Sequence, residues 1–322
     1  VRIRKVAEVV REMKDLYQNR GITLFLFQDD DFPLFGPSWR RWALSLVDEL
    51  YRQDLVGKVI WKISCRADAV EPELFATLRD AGLYLVYMGL ESGSDDGLDV
   101  LHKEITVAEN LRAVETLKSL GVMWEFGFML FDPSSTFESI ETNVGFLRRI
   151  VDDGSVAAVF CKMLPYDGTP IKETLMAQGR FNGDVCNPDY DFLDPRMARC
   201  YEAIGRIVGE WVRGSDCVAA MINHAWHEVF VMERLFEPAA DLVAYKTALS
   251  AVTKFSNNIL FSVVEEICDG FREGGGECQQ YSGLGQIREQ ILATLVQQRN
   301  RFVYENQSWL LKGILKQTLV TA

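Results

Sequence analysis

The sequence predicts an α/β fold of parallel βαβ units followed by an all-helical region, and three observations predict it. Five short apolar segments rich in Val, Ile, Phe and Tyr recur along the first half, at 22–28, 58–64, 83–89, 122–130 and 156–164. Their starts are 36, 25, 39 and 34 residues apart, and each gap holds the one amphipathic helix that a parallel crossover needs. Beyond about residue 180 the strand pattern stops and long helical periodicities take over.

The opening stretch, VRIRKVAEVVREMKDLYQ, is already in helical rhythm, with neither an initiator Met nor a signal-peptide apolar core, and reads as part of a longer protein. Ser38 precedes the helical segment WRRWALSLVDELYRQ, and Pro72 opens a helix that closes near Gly82. Thr106 with Glu109, and Ser135 with Glu138, fit capping boxes, in which side chains satisfy N–H groups orphaned in the first turn. Leu111, Val114, Leu117 and Leu120 line one helix face, ended by Gly121. The segment 179–195 reads as a loop. Helices follow near 196–213, 216–235, 239–269 and 284–316, with a turn at the glycines 274–276.

At ~150 residues per domain, 322 residues suggest two domains, divided as 1–180 and 181–322. Lys and Arg total 34 against 46 Asp and Glu, a net charge of −12 that argues against nucleic-acid and anionic-membrane partners. The longest apolar runs, 83–90 and 156–161, fall short of the ~18 residues that span a bilayer. Seven cysteines without a C-x-x-C pair point to reduced thiols and a cytoplasmic protein.

Ligands of parallel α/β sheets bind at the carboxyl ends of the strands, which selects the polar residues to weigh. They are Asp29–Asp31, then Cys65-Arg66-Ala67-Asp68, then Glu91-Ser92-Gly93-Ser94, then Asp132, and last Pro165-Tyr166-Asp167-Gly168. Three adjacent carboxylates repel one another unless a ligand uses their charge; a solvated turn is the alternative. Gly93 would let a ligand approach the backbone. Arg66 could hold a ligand carboxylate in a bidentate fork or simply pair with Asp68.

Together these strings resemble the radical S-adenosylmethionine (radical SAM) superfamily, especially the group whose members often carry a cobalamin-binding domain before the radical barrel. Phe27-Gln28-Asp29-Asp30-Asp31-Phe32 is similar to that group's F-x-D-D-x-F, and Arg66-Ala67-Asp68 to its R-A-D. Gly89-Leu90-Glu91-Ser92-Gly93-Ser94, with Leu101, Lys103 and Thr106, resembles G-L-E-S-G-S…L…K-x-x-T. Phe128 to Pro133, with Thr136 and Glu138, resembles the fifth-strand F-D-P…T-x-E variant.

The resemblance implies a partial TIM-type (β/α)6 barrel missing its first strand, followed by an all-helical C-terminal domain. It also implies a four-iron four-sulfur (4Fe-4S) cluster that cleaves S-adenosylmethionine to a 5′-deoxyadenosyl radical, a small organic or natural-product substrate, cobalamin in some members, and an electron donor such as flavodoxin or ferredoxin. By the same resemblance Asp29 and Asp30 lie where the methionine amino group is contacted, and Glu91, with Ser92 beside it, where a polar side chain meets the ribose or amino group. Arg66 and Lys103 are candidates for the methionine carboxylate, and the backbone of Leu164, Pro165 and Tyr166 for adenine. The cluster's C-x-x-x-C-x-x-C loop has no counterpart among the seven cysteines and is expected ahead of residue 1, leaving this piece inactive alone. A degenerate binding or scaffold protein of the same fold is the alternative; a tRNA-modifying methylthiotransferase fits poorly with the acidic charge.

Other features weigh less. His224 and His227 could share a helix face as metal ligands, with Glu228 or Cys217 near in sequence. Cys65 and Cys161 read as small buried hydrophobes, Cys268 and Cys278 as too sparse for an auxiliary cluster, and Trp39, Trp42, Trp211 and Trp226 as helix packing.

Overall fold

The computed structural model describes residues 3–32, 37–275, 281 and 283–318. Helices α1 (Val6–Arg20), α2 (Pro37–Arg52) and α3 (Pro72–Asp80) alternate with strands β1 (Leu24–Leu26), β2 (Ile60–Cys65) and β3 (Leu83–Glu91). Then α4 (Asp95–Val100) and α5 (Val107–Leu120) lead to β4 (Met123–Phe131), and α6 (Phe137–Ile150) to β5 (Cys161–Lys162). The strands pair in chain order and all in parallel, forming a half-barrel whose edges are β1 and β5.

Strand parity explains which residues reach the hollow of the half-barrel. On β3, Val86, Met88 and Leu90 are buried under the outer helices, while Tyr87, Gly89 and Glu91 remain accessible on the concave face. On β4 the accessible set is Glu125, Gly127 and Met129. The helices begin and end largely where local chemistry places them. Pro72 takes the first turn of α3, Thr106 and Glu109 complete a reciprocal cap on α5, and Gly121 ends that helix at φ 61°.

Several expectations need correction. The helix expected after Ser38 already runs from Pro37, and residues 33–36 before it lie outside the described set. The cap of α6 is Thr136 with Ser139 rather than Ser135 with Glu138, because the buried Ser135 hydroxyl accepts the Asp132 N–H at 2.8 Å. The segment 179–195 is not only loop: β6 (Phe181–Gly183) and β7 (Pro188–Tyr190) pair antiparallel. The turn between them is tied by the Asp184 carboxylate, which accepts from the N–H groups of Cys186 and Asn187.

The largest departure is β5, two residues long where 156–164 suggests a full strand. There the backbone is satisfied by side chains from the helical region. Asn223 Oδ1 accepts the Ala157 N–H at 3.1 Å, and Asn257 accepts the Ala158 N–H at 2.8 Å while donating to the Val156 carbonyl at 3.1 Å. Two amides thus replace the sheet ladder.

The second half is otherwise helical: α7 (Pro170–Ala177), α8 (Pro195–Ile207), α9 (Gly209–Val212), α10 (Val218–Leu235), α11 (Ala240–Arg272), α12 (Leu284–Glu305) and α13 (Gln307–Thr318). The single helix expected over 284–316 breaks at Asn306. Gly274 follows α11 at φ 80°, whereas Gly276 and Cys278 lie outside the described residues. Trp211 and Trp226 are buried, as expected, with their indole N–H groups on Ser256 and Thr253. Among the described residues no helix is long and apolar enough to cross a membrane. Helix α11 packs on α6 and α8, where Arg148 and Glu265 pair at 2.7 Å, and α10 reaches the early residues of β2 and β3.

Candidate functional site

At the carboxyl ends of β1, β2 and β3 lies a polar cleft of about 390 Å³. The segment after β1 is stitched to β2 by backbone bonds, Phe27 N–H to the Lys62 carbonyl and Phe32 N–H to the Ser64 carbonyl. Those bonds, and the burial of Phe32 against Phe27 and Trp42, hold Gln28 to Asp31 along the rim. Asp29 and Asp30 are exposed and Asp31 is half-buried. Burial raises the Asp31 carboxyl above its usual range, opposed by the Arg66 backbone N–H that it accepts at 3.2 Å.

Arg66 follows β2 with its fork already occupied. Nε and Nη2 donate to the two Asp68 carboxylate oxygens at 3.0 Å each, and Nη2 also donates to the Lys103 carbonyl at 2.9 Å. Pairing with Asp68 raises the guanidinium further above neutrality. Of the two options open for Arg66 from sequence, the pair with Asp68 is the one formed.

Glu91 ends β3 in a strained turn. Its φ is 62°, in the left-handed region that costs about 1 kcal/mol or more for a residue with a Cβ. The Ser92 N–H closes over it onto the Leu90 carbonyl at 2.8 Å. The carboxylate meets Lys103 Nζ at 2.8 Å, and Lys103 itself sits between two left-handed residues, His102 and Glu104. Gly89 leaves the space for this pair: a Cβ there would stand 2.3 Å from Glu91 Oε1.

The turn is fixed from below. Asn110 of α5 donates to the Leu90 carbonyl, and Asn143 of α6 accepts the Gly93 N–H at 2.7 Å. Gly93 therefore serves packing rather than ligand approach, since a Cβ there would fall 2.4 Å from Phe146 Cβ. Ser92 is buried with its hydroxyl on Asn143. It supports the turn and does not line the cleft.

The structure thus brings Asp29, Asp30, Arg66, Glu91 and Lys103 to one cleft. Leu164, Pro165 and Tyr166 are not on its lining; they follow β5 at the opposite edge of the sheet, Pro165 buried, Leu164 and Tyr166 exposed. Asp31 and Cys65, weighed from sequence as strand-end residues but given no ligand contact, also line it, as do Ser64 and Tyr87, which sequence reading passed over. Tyr87 was detectable, standing two and four residues before Gly89 and Glu91 on the same face of β3. Cys65 is buried, which pushes its thiol up, but Cys161 is exposed rather than buried. Asp132 is buried in its own turn, accepting from Ser134 N–H, and burial raises its carboxyl.

Chemically, the cleft presents carboxylates and cations side by side with room for a zwitterionic ligand that also carries hydroxyl groups. A larger cavity of about 490 Å³ adjoins it at the free edge of β1, sharing Gln28, Asp29 and Asp31 and walled by Phe25, Trp39 and Trp42. A four-iron cluster finds no ligand set: among the described residues no three Cys, His, Asp or Glu side chains are grouped so that they could hold a metal ion, and His227 pairs with Glu125.

Residues 1–147 match the Radical SAM superfamily model. The chain is 31% identical over 179 residues to an anaerobic magnesium-protoporphyrin IX monomethyl ester cyclase of Cereibacter sphaeroides, covering 55% of this chain and 28% of that protein. It is 27% identical over 172 residues to an uncharacterized methyltransferase of Pyrococcus horikoshii, 53% of this chain and 36% of the other. The chain therefore spans about a third of the length of these curated relatives. The cobalamin-dependent S-adenosylmethionine radical enzyme OxsB shares the fold at a TM-score of 0.60 and 15% identity, over 97% of this chain and 52% of that one. The superfamily's cofactors are S-adenosylmethionine and a 4Fe-4S cluster. With its strand order, its rim strings and this match, the barrel part of the chain, residues 1–147, belongs to the radical SAM superfamily.

Proposed function

We propose that the cleft at the ends of β1–β3 binds S-adenosylmethionine and that the chain is the cofactor- and substrate-binding part of a radical SAM enzyme acting on a small organic substrate. The observation that carries this reading is the convergence of Asp29, Asp30, Arg66, Glu91 and Lys103 on one polar cleft, with Glu91 held in a strained turn. In this reading Asp29 and Asp30 accept from the methionine ammonium, Glu91 from the ribose or the ammonium, and Arg66 and Lys103 face the carboxylate. Each cation already has a carboxylate partner, so ligand binding would exchange partners rather than bury free charge. The backbone of Leu164–Tyr166 would meet adenine from the far edge.

A four-iron cluster held beside the cleft would supply the electron that turns bound S-adenosylmethionine to radical chemistry. The described residues do not fit that cluster, so in this reading its ligands are not among them. A further strand on the free edge of β1, against the apolar cavity of α1 and α2, would bring a segment that carries them beside Asp29. The methyltransferase and cyclase names of the relatives and the cobalamin dependence of OxsB support methyl transfer or cyclisation with cobalamin. A second reading, a scaffold that keeps the pocket without the radical step, is compatible with the absence of a cluster ligand set among the described residues.

Calorimetry tests the proposal. S-adenosylmethionine should bind the 322-residue chain, and Glu91→Ala should weaken binding by about 1–3 kcal/mol, the range for a charge-assisted hydrogen bond. No binding to the unmodified chain, or unchanged affinity in a folded Glu91→Ala variant, overturns it. Formation of 5′-deoxyadenosine by the longer protein, with reductant, separates the enzyme from the scaffold.

A further inference from the structure

Behind the cleft, the hollow of the half-barrel continues toward the helical region. Tyr87 lines both the cleft and a second cavity of about 320 Å³, also lined by Gly127, Val156, Val159, Phe160 and Asn223. Glu125, Val159 and Asn223 then line both this cavity and a third of about 300 Å³, reached by His224 and His227 of α10. The three spaces thus form a chain through shared walls, from the cleft to the face of α10.

Glu125 is the one carboxylate on these two linings among the described residues, and the Lys62 ammonium lies nearby over the Tyr87 ring, 5.7 Å from the centroid. Glu125 occupies a concave-face position of β4, two residues before Gly127, and its Oε1 meets His227 Nε2 at 3.1 Å. Its side chain keeps 23% of its surface accessible. The edge of the His227 ring packs on Tyr84 of β3 at 6.2 Å between centroids, which fixes the imidazole from the other side. Gly127 keeps the passage open: a Cβ there would lie 2.6 Å from the Tyr87 hydroxyl. No lysine or arginine lines either the second or the third cavity among the described residues. A carboxylate in apolar surroundings with one neutral-or-cationic partner attracts a hydrogen-bond donor or a cation and repels an anion.

We infer that Glu125, positioned by His227, is the specificity residue for a substrate with an apolar body and a cationic amine or similar donor head, bound in the hollow behind the cleft. The inference rests on the reading of the cleft as the cofactor site. The helical region contributes to substrate choice through His227, a residue 102 positions away from Glu125 in the chain.

The test uses phenethylammonium as probe, with 2-phenylethanol and 3-phenylpropionate as neutral and anionic counterparts, titrated into the 322-residue protein by ligand-detected NMR. Phenethylammonium should bind best and 3-phenylpropionate worst. Glu125→Gln should weaken the amine at least tenfold while leaving its melting temperature and S-adenosylmethionine affinity unchanged, and His227→Gln should give a smaller loss. The amine should also protect Cys161, which lines the second cavity, from N-ethylmaleimide, but not the exposed Cys186. Equal binding of the anion, undiminished amine binding by Glu125→Gln, no binding of the amine at millimolar concentration, or no protection of Cys161 each overturns the assignment. Amine selectivity without S-adenosylmethionine binding would instead remove the cofactor reading and leave the amine site standing.

Discussion

The ends of β3 and β5 began as equals in the sequence, each an apolar segment followed by polar residues at the rim, and they folded into different things. β3 is central, paired on both sides, and its full ladder leaves strain and charge to be absorbed at the tip. Glu91 is held there at positive φ because Asn110 and Asn143 fix the backbone on either side of it. β5 is an edge, and the helical region covers it. Asn223 and Asn257 take the backbone bonds of residues 156–158 just before it, and Lys162 at its end points into the rings of Tyr190, Phe192 and Tyr201, 4.2, 4.9 and 5.1 Å from their centroids. A strand end stays open as a cleft when its neighbours hold it so, and becomes a packing joint when another layer closes on it.

The sharpest way to break this contrast is to remove the amide that replaces the ladder. Asn257→Leu should cost about 2–4 kcal/mol of unfolding free energy in denaturant titration, because it leaves the Ala158 N–H and the Val156 carbonyl buried without partners. S-adenosylmethionine affinity of the folded fraction should stay within twofold. A loss of affinity matching the loss of stability would show that the β5 edge shapes the cleft after all.

On the β3 side, Gly93→Ala should destabilise by about 1–3 kcal/mol by overpacking against Phe146, and it should lower S-adenosylmethionine affinity as well, by shifting the Glu91 turn. Stability loss with unchanged affinity would separate the turn from the site. Tyr166→Ala, on the exposed β5 side, should change that affinity less than threefold, since its backbone alone is assigned to adenine. A tenfold loss would give the side chain a contact of its own.

The smallest effect is electrostatic. Burial raises the Asp132 carboxyl above its unfolded value, so the folded protein holds this proton more tightly than the unfolded chain. Its charging therefore opposes folding as pH rises from the ordinary carboxylate range through the raised value. Asp132→Asn, which keeps an acceptor for the Ser134 N–H, should be as stable as the native chain or more so at neutral pH, by less than ~1 kcal/mol. The advantage should vanish as pH falls through that window. An Asn variant less stable at neutral pH would mean that the ionised form is the one the turn needs.

Most of the fold was legible because its signals are local. Buried parallel strands must be apolar throughout, helices between them must be amphipathic, Pro72 removes an N–H that would be orphaned, and the caps at Thr106 and Gly121 satisfy groups within a turn of themselves. The rim strings placed Asp29, Asp30, Arg66 and Glu91 at strand ends for the same reason, and the resemblance added Lys103 in the loop between α4 and α5. What escaped was set by partners distant in sequence. Whether Arg66 would meet a ligand or Asp68, whether Gly93 would meet a ligand or Phe146, and whether 156–160 would find a strand or two asparagines all depend on which surface arrives opposite.

The sequence by itself determined the alternation of strands and helices, the parallel order and the polar residues at the rim, because periodicity and capping are properties of a few consecutive residues. Only the tertiary structure decided that Glu91 and Lys103 pair across a strained turn, that residues 156–158 bond to two asparagines instead of extending β5, and that Glu125 meets His227. Those contacts join residues tens of positions apart, and hydrogen bonds and ion pairs of that range exist only once the layers have packed.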